Sequence, residues 1–189
     1  SGNPSEGFFH TPSNGSSLVV KYYGGGILVC GGSHLLDLVG FFFGRPSKLS
    51  AAMIQPSYLD YDLLVSTMLY TENGLVHVEA AAHPLNKIGF LRDGWDERIE
   101  INGTQGRIEI FSGLWDQPYT KDSLLIHYDN RSGSVHEYRF GPVSPFERAV
   151  EFFCTNISQG RQAQPDTTGY DVDELIAHIK SSASQGGQL

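Results

Sequence analysis

Seven short segments between residues 48 and 140 are strand-like and punctuated by turn signals, and this constrains the fold more than anything else in the chain. Strand-like runs fall at 48–54, 63–71, 75–82, 98–101, 107–111, 124–128 and 135–140. Glu72-Asn73-Gly74 separates the second from the third, where Asn-Gly suits a tight turn with positive φ. Asn102-Gly103-Thr104-Gln105-Gly106 and Asp129-Asn130-Arg131-Ser132-Gly133 divide two later pairs in the same way. Strands joined by successive hairpins run antiparallel, so the chain predicts an open, mainly antiparallel sheet with at least one face to bury.

Helical patterns flank these strands. Leu35, Leu36, Leu38, Val39, Phe42 and Phe43 form an apolar stripe that starts near Ser33 and stops at Gly44-Arg45-Pro46. Pro145 opens a second helix with Phe146, Ala149, Val150, Phe153 and Ile157 on one side, expected to face inward, and Gly160 closes it. A third runs over about 170–184, with Val172, Leu175, Ile176 and Ile179 inward. Three such helices can cover only one face of the sheet, which predicts an α+β domain. In the second strand Leu64, Ser66, Met68 and Tyr70 alternate with Leu63, Val65, Thr67 and Leu69, so both faces are partly apolar. Either the open face is solvated with scattered apolar residues, or it is buried against another subunit, and the expectation taken is a homo-oligomer. Residues 1–17, rich in Ser, Gly, Asn and Pro, read as a loop or linker, and residues 18–189 as one domain.

Charge removes several classes of function. A net charge of -8 with only 18% charged residues leaves no basic face for a phosphate backbone, so nucleic acid is not an expected partner. No apolar run approaches the ~20 residues of a membrane span, and the start lacks a signal-peptide pattern. Cys30 and Cys154 lie far apart and form no Cys-x-x-Cys pair, which suits reduced thiols in a cytoplasmic protein. His77, His83, His127 and His136 lack carboxylates at ligand spacing, so no metal site is expected. The Asn-x-Ser/Thr triplets at Asn102, Asn130 and Asn156 carry no weight without secretion.

Chemistry concentrates at residues 24–37, GGGILVCGGSHLLD. Gly24-Gly25-Gly26 precedes a strand-like triplet, Ile27-Leu28-Val29, and Gly31-Gly32-Ser33-His34 then begins the helix. No Gly-Lys-Ser/Thr follows and no Gly-x-Gly-x-x-Gly is present, so neither nucleotide motif applies. His34 falls in the first helical turn, where the positive end of a helix favours a neutral imidazole able to take or give a proton. The alternative is a histidine hydrogen-bonded within the core or to the helix end. Cys30 is either a nucleophile or a small buried hydrophobe. Asp37, one turn after His34, either orients it, holds a substrate hydroxyl, or makes a polar contact beside the helix. Asp93, Trp95, Asp96 and Arg98 combine an aromatic face with carboxylates and a guanidinium, as a polyhydroxylated ligand requires, or form a surface loop anchored by its Trp.

These residues carry a resemblance. The pattern GGGxLxDxGxHxxD, with which Gfo/Idh/MocA oxidoreductases begin the first helix of their C-terminal domain, is matched by Gly24, Gly25, Gly26, Leu28, Gly32, His34 and Asp37. GWDERIEINGTQGRIEI is similar to that family's GYDxRxEVxGTxG strand pair, and the two closing helices follow in the family's order. The resemblance extends from Gly24 to about Ser184.

It implies a glyceraldehyde-3-phosphate-dehydrogenase-like C-terminal domain, an open antiparallel sheet with helices on one face. It also implies a partner Rossmann domain that binds NAD or NADP, absent from this sequence together with the family's Glu-Lys-Pro lysine. On that reading His34 is the acid/base for a sugar, polyol or related hydroxy compound. Asp37, Cys30, Trp95, Asp93 and Arg98 would line the substrate site, and this chain alone would be inactive. One motif position departs from the pattern: Cys30 stands four residues before His34, where the family commonly has Asp. A neutral thiol cannot charge-stabilise an imidazole, which also motivates a non-catalytic relative that binds sugar or protein as a regulator.

Overall fold

A computed structural model describes residues 24–82, 87–91, 93–112, 114–161 and 168–186. The linker expected at residues 1–17 lies outside the described residues. The described residues gather into two compact units, one holding 24–82 and 168–186, the other those between 87 and 161.

In the first unit a π-type turn, Leu28–Gly32, runs straight into α1, Ser33–Phe43. Strands β1 (Lys48–Ile54), β2 (Leu64–Thr71) and β3 (Gly74–Ala81) follow, and α3 (Thr168–Gly186) returns to complete the unit. The strands form an antiparallel sheet in the order β1-β2-β3. Its register pairs Leu49 with Leu69, Ala51 with Thr67 and Met53 with Val65, then Leu69 with Val76 and Thr67 with Val78. These residues share the face that α1 and α3 cover. Leu28, Leu36, Val39, Val65, Leu69, Val78, Ile176 and Ile179 make the core, and Leu69 and Ile179 are wholly buried. Truncating such a side chain to Ala costs about 2–5 kcal/mol. The other face, carrying Ile54, Tyr70 and Leu75, is exposed.

Two local readings change. Ile27–Val29 is helical, not strand-like, because the Asp62 main chain and carboxylate take up the first free N–H groups. Asn73 has no positive φ. Its amide instead donates to the Phe43 carbonyl at the end of α1 at 3.1 Å, which ties the β2–β3 turn to that helix. Gly44, at φ 80°, ends α1 as expected.

The second unit holds β4 (Glu97–Gly103), β5 (Gly106–Ser112), β6 (Ser123–Asp129), β7 (Ser134–Phe140) and α2 (Pro145–Ser158). Its sheet is antiparallel in the order β4-β5-β6-β7. The seven strands thus divide between two antiparallel sheets within an α+β chain. Gly106 is required by a close approach, since a Cβ there would sit 2.1 Å from the Tyr128 carbonyl oxygen. Ser144 caps α2, its hydroxyl accepting from the Glu147 N–H at 3.3 Å. The face of α2 read as inward is not covered: Phe146, Val150, Phe153 and Ile157 are all exposed and no residue of the helix is buried. Amphipathic spacing shows that a helix has an apolar side, but not what lies against it.

Candidate functional site

The start of the first helix is built around Asp62, a residue that sequence reasoning passed over. Its side chain is 3% exposed, its carboxylate accepts from the Leu28 N–H at 2.8 Å, and its main-chain carbonyl accepts from the Ile27 N–H at 3.1 Å. Gly26 makes room for this arrangement: a Cβ there would lie 2.3 Å from the Asp62 carbonyl oxygen and 2.4 Å from its carboxylate. The glycine run therefore brings the chain against an internal carboxylate that occupies the positive end of the helix. Asp62 is 34 residues from Leu28 in the chain. The only sequence signal was an acidic residue just before a strand, which does not identify a helix cap at that distance.

The early start moves His34 away from the helix end. Helical turns begin at Ile27, so His34 lies about two turns inside and the N-terminal field, confined to the first turn, does not reach it. His34 is exposed, and among the described residues its side chain makes no hydrogen bond or ion pair. Asp37 is exposed one turn further on, and Phe41, 79% exposed, continues the same side at the i, i+3, i+7 spacing. An imidazole, a carboxylate and an aromatic ring thus line the outward face of α1.

Cys30 is placed differently. It is half-buried against the cluster of Ile27, Leu59 and Tyr61, and burial pushes its thiol pKa up. A thiol held protonated on an apolar cluster behaves as a small hydrophobe.

The remaining candidates belong to the other unit, where a loop precedes β4. Trp95 is half-buried, its indole N–H donates to the Glu97 carboxylate at 2.7 Å, and its ring meets Trp115 edge-on at 6.0 Å. Asp93 is exposed and pairs with Lys87, and Asp96 accepts from the Phe90 N–H at 3.1 Å. Arg98 is exposed on β4. This loop ties itself together through most of the polar groups proposed to meet a ligand. A cavity of about 230 Å³ in the same unit is lined by Trp115, Lys121, Ser112, Ser123 and Phe140 among others.

A charged cluster not anticipated from sequence crosses one face of β4–β6. Arg107 donates to Glu100 at 2.7 Å and also pairs with Glu109, while the Tyr128 hydroxyl donates to Glu109 at 2.9 Å. The Tyr128 hydrogen bond and then the Arg107 guanidinium hold the Glu109 carboxyl below the usual range. The strand register explains the cluster, because Glu100 sits opposite Glu109, and Arg107 opposite both Asn102 and Tyr128. Among the described residues no group of three or more His, Cys, Asp or Glu could hold a metal ion, and no helix is long and apolar enough to cross a membrane.

The GFO/IDH/MocA C-terminal domain model matches residues 6–109. No curated protein sequence matches the chain. Among solved structures it is similar to a Desulfitobacterium hafniense protein assigned as an NADPH-dependent oxidoreductase, at 17% identity and a TM-score of 0.69, covering 96% of this chain and 52% of that one. It is similar to an Agrobacterium radiobacter oxidoreductase in complex with NAD+, L-tartaric acid and magnesium, at 19% identity and 0.62, covering 85% and 47%. A third is KijD10, a 3-ketoreductase from Actinomadura kijaniata in complex with NADP, at 14% identity and 0.63, covering 83% and 47%. At these identities the likeness is one of fold. The chain spans about half the length of each.

Proposed function

The chain belongs to the GFO/IDH/MocA C-terminal domain family, and from that premise we propose that it forms the substrate-facing half of a nicotinamide-dependent oxidoreductase in which His34 is the acid/base. The observation that carries this reading is an exposed imidazole on the outward face of α1, directly after a π-type turn. Such turns inside helices recur at functional sites because they displace side chains from regular spacing.

The chain's glycine-rich stretch does not fit a dinucleotide. In phosphate-binding loops the free N–H groups of a helix start meet the anion, and here those of Ile27 and Leu28 are taken by Asp62. NAD or NADP would be held by a separate Rossmann domain, and when bound it supplies hydride transfer. This chain's part is then limited to binding, orientation and proton movement. His34 would take the proton from a substrate hydroxyl during oxidation or return it to the alkoxide during reduction. That assignment matches an imidazole free to approach a ligand, and general acid/base assistance is worth about 10²–10⁴ in rate. Asp37, on the same face, is positioned to orient the ring or accept from a neighbouring hydroxyl. Trp95, Asp93 and Arg98 are proposed as further substrate contacts.

The proposed substrate class is a sugar, polyol or related hydroxy compound, supported by a structural neighbour that is a 3-ketoreductase. Homo-oligomerisation through an open sheet face is part of the same proposal. A second reading, a non-catalytic relative that binds sugar or protein, is favoured by one observation: the half-buried, protonated Cys30 leaves His34 without the carboxylate of the motif. The complete polypeptide, incubated with NAD or NADP and a panel of polyols and keto sugars, should change absorbance at the nicotinamide band with at least one of them. Cofactor binding without turnover on any of them would favour the second reading, and no cofactor binding would remove the first.

A further inference from the structure

Asp62 is a buried acid that neither the core nor the outward face of α1 accounts for. It is 3% exposed, and among the described residues its side chain has the Leu28 N–H as hydrogen-bond partner and no ion pair. Taking a carboxylate out of water is costly unless a cation meets it. An uncharged Ser or Asn caps a helix at less cost. Capping alone therefore does not explain why an acid stands here.

Asp62 is itself firmly held. The Leu63 N–H donates to the Ile54 carbonyl at 2.9 Å and the Leu63 carbonyl accepts from the Ala82 N–H at 2.8 Å, so the next residue is tied to both neighbouring segments at the end of the β1–β3 sheet. On the other side the loop closes on itself. The Leu59 N–H donates to the Pro56 carbonyl at 2.9 Å, and the Gln55 side-chain amide donates to the Leu59 carbonyl at 3.1 Å. Leu59 and Tyr61 also pack with Ile27 in a cluster of their own. From this anchor Asp62 accepts from two successive N–H groups, those of Ile27 at 3.1 Å and Leu28 at 2.8 Å. No break separates them from His34, because helical turns run on from Leu28 through Gly32 into α1.

We propose that Asp62 is a positioning residue, which fixes the height and rotation of the helix that presents His34. The inference rests on the acid/base reading of His34 above and deepens it by naming what sets the place of the imidazole. Leu28 and His34 are six residues apart, about 9 Å along a helix axis. Leu36 and Val39 press the helix onto the sheet. Apolar packing is non-directional, whereas hydrogen bonds to two successive N–H groups have defined lengths and angles. A side-chain tip about 5–6 Å from the axis moves about 1 Å when the helix turns by about 10°. A displacement of about 1 Å at a reacting group costs up to about 10²-fold in rate.

Steady-state kinetics of the complete polypeptide, with cofactor and a turned-over hydroxy substrate, test this in Asp62→Ala and Asp62→Asn, each alone and combined with His34→Ala. Asp62→Ala loses the bond to Leu28 and should lower kcat about tenfold. Asp62→Asn keeps an acceptor without the charge and should lower it about threefold. KM should stay within about twofold in both. In the His34→Ala background neither should lower kcat further, since there is no imidazole left to displace. An equal fall in both backgrounds would make Asp62 merely structural and overturn the inference. Wild-type kcat in both Asp62 variants, with the loss from His34→Ala intact, overturns it as well. Wild-type kcat in His34→Ala removes the acid/base reading itself. Nuclear magnetic resonance of the 189-residue chain gives a readout free of turnover. In Asp62→Asn, which preserves the shape of the side chain, the His34 amide and ring resonances should shift while those of Val65 and Leu69 stay. His34 resonances unmoved from wild type contradict the positioning.

Discussion

Gly26→Ala is a single added methyl whose consequence can be worked out from the helix start. The new Cβ would lie 2.3 Å from the Asp62 carbonyl oxygen and 2.4 Å from its carboxylate. A carbon meets an oxygen at about 3.3 Å at closest, so one side must retreat by roughly 1 Å. Rotating the Asp62 side chain relieves only the second clash, because the first is with main chain. That carbonyl also accepts the Ile27 N–H at 3.1 Å, and the carboxylate accepts the Leu28 N–H at 2.8 Å. Separation weakens both bonds, each worth about 1 kcal/mol, and overpacking a tight site adds about 1–3 kcal/mol. The expected loss is therefore about 2–5 kcal/mol, a fall in Tm of several degrees or more. Both tryptophans, Trp95 and Trp115, belong to the other unit. Urea unfolding should therefore be followed by far-ultraviolet circular dichroism, which reports α1 and α3. A midpoint unchanged within error would refute the clash and the fixed position of Asp62 with it.

Gly106→Ala should be equally costly in the other unit, because the Tyr128 carbonyl oxygen lies 2.1 Å from the new Cβ; tryptophan fluorescence during urea unfolding measures it, and a wild-type midpoint would contradict the close approach. Glu109 has a folded pKa held below its unfolded value, so its stabilisation is present above the unfolded pKa and lost as pH falls through the folded one. Glu109→Gln should thus flatten the pH dependence of the melting temperature on the acid side of about pH 4 to 5, and an unchanged slope would count against the Arg107–Glu109–Tyr128 cluster. Cys154 is exposed while Cys30 is half-buried with its thiol pKa pushed up. A thiol reagent should modify Cys154 first and Cys30 markedly slower, as mass spectrometry of a timed series would show; equal rates would place Cys30 on the surface.

The strand series, the antiparallel pairing and the α+β class were legible because they follow from local signals. Alternation, Asn-Gly and Gly-Thr-Gln-Gly turns, Pro145 and Gly160 act over a few residues. Which face of β1–β3 is covered was not legible, since both alternating sets in β2 are partly apolar. What was not legible depends on residues far apart in sequence. Ile27–Val29 reads as strand until Asp62 is placed against it. The stripe of α2 reads as core, yet Phe146, Val150, Phe153 and Ile157 are exposed among the described residues. The Glu100–Arg107–Glu109–Tyr128 cluster exists only once the register is known. At the candidate site the sequence marked His34 and Asp37 on one helix face. It could not show that Cys30 packs on the cluster of Ile27, Leu59 and Tyr61, because that cluster joins residues far apart in sequence.

The central claim is that His34 moves the substrate proton. In the complete polypeptide with cofactor and a turned-over hydroxy substrate, His34→Ala should lower kcat by about 10²-fold or more, while nicotinamide binding measured by fluorescence stays at the wild-type level. Turnover retained at the wild-type rate with cofactor bound would contradict it.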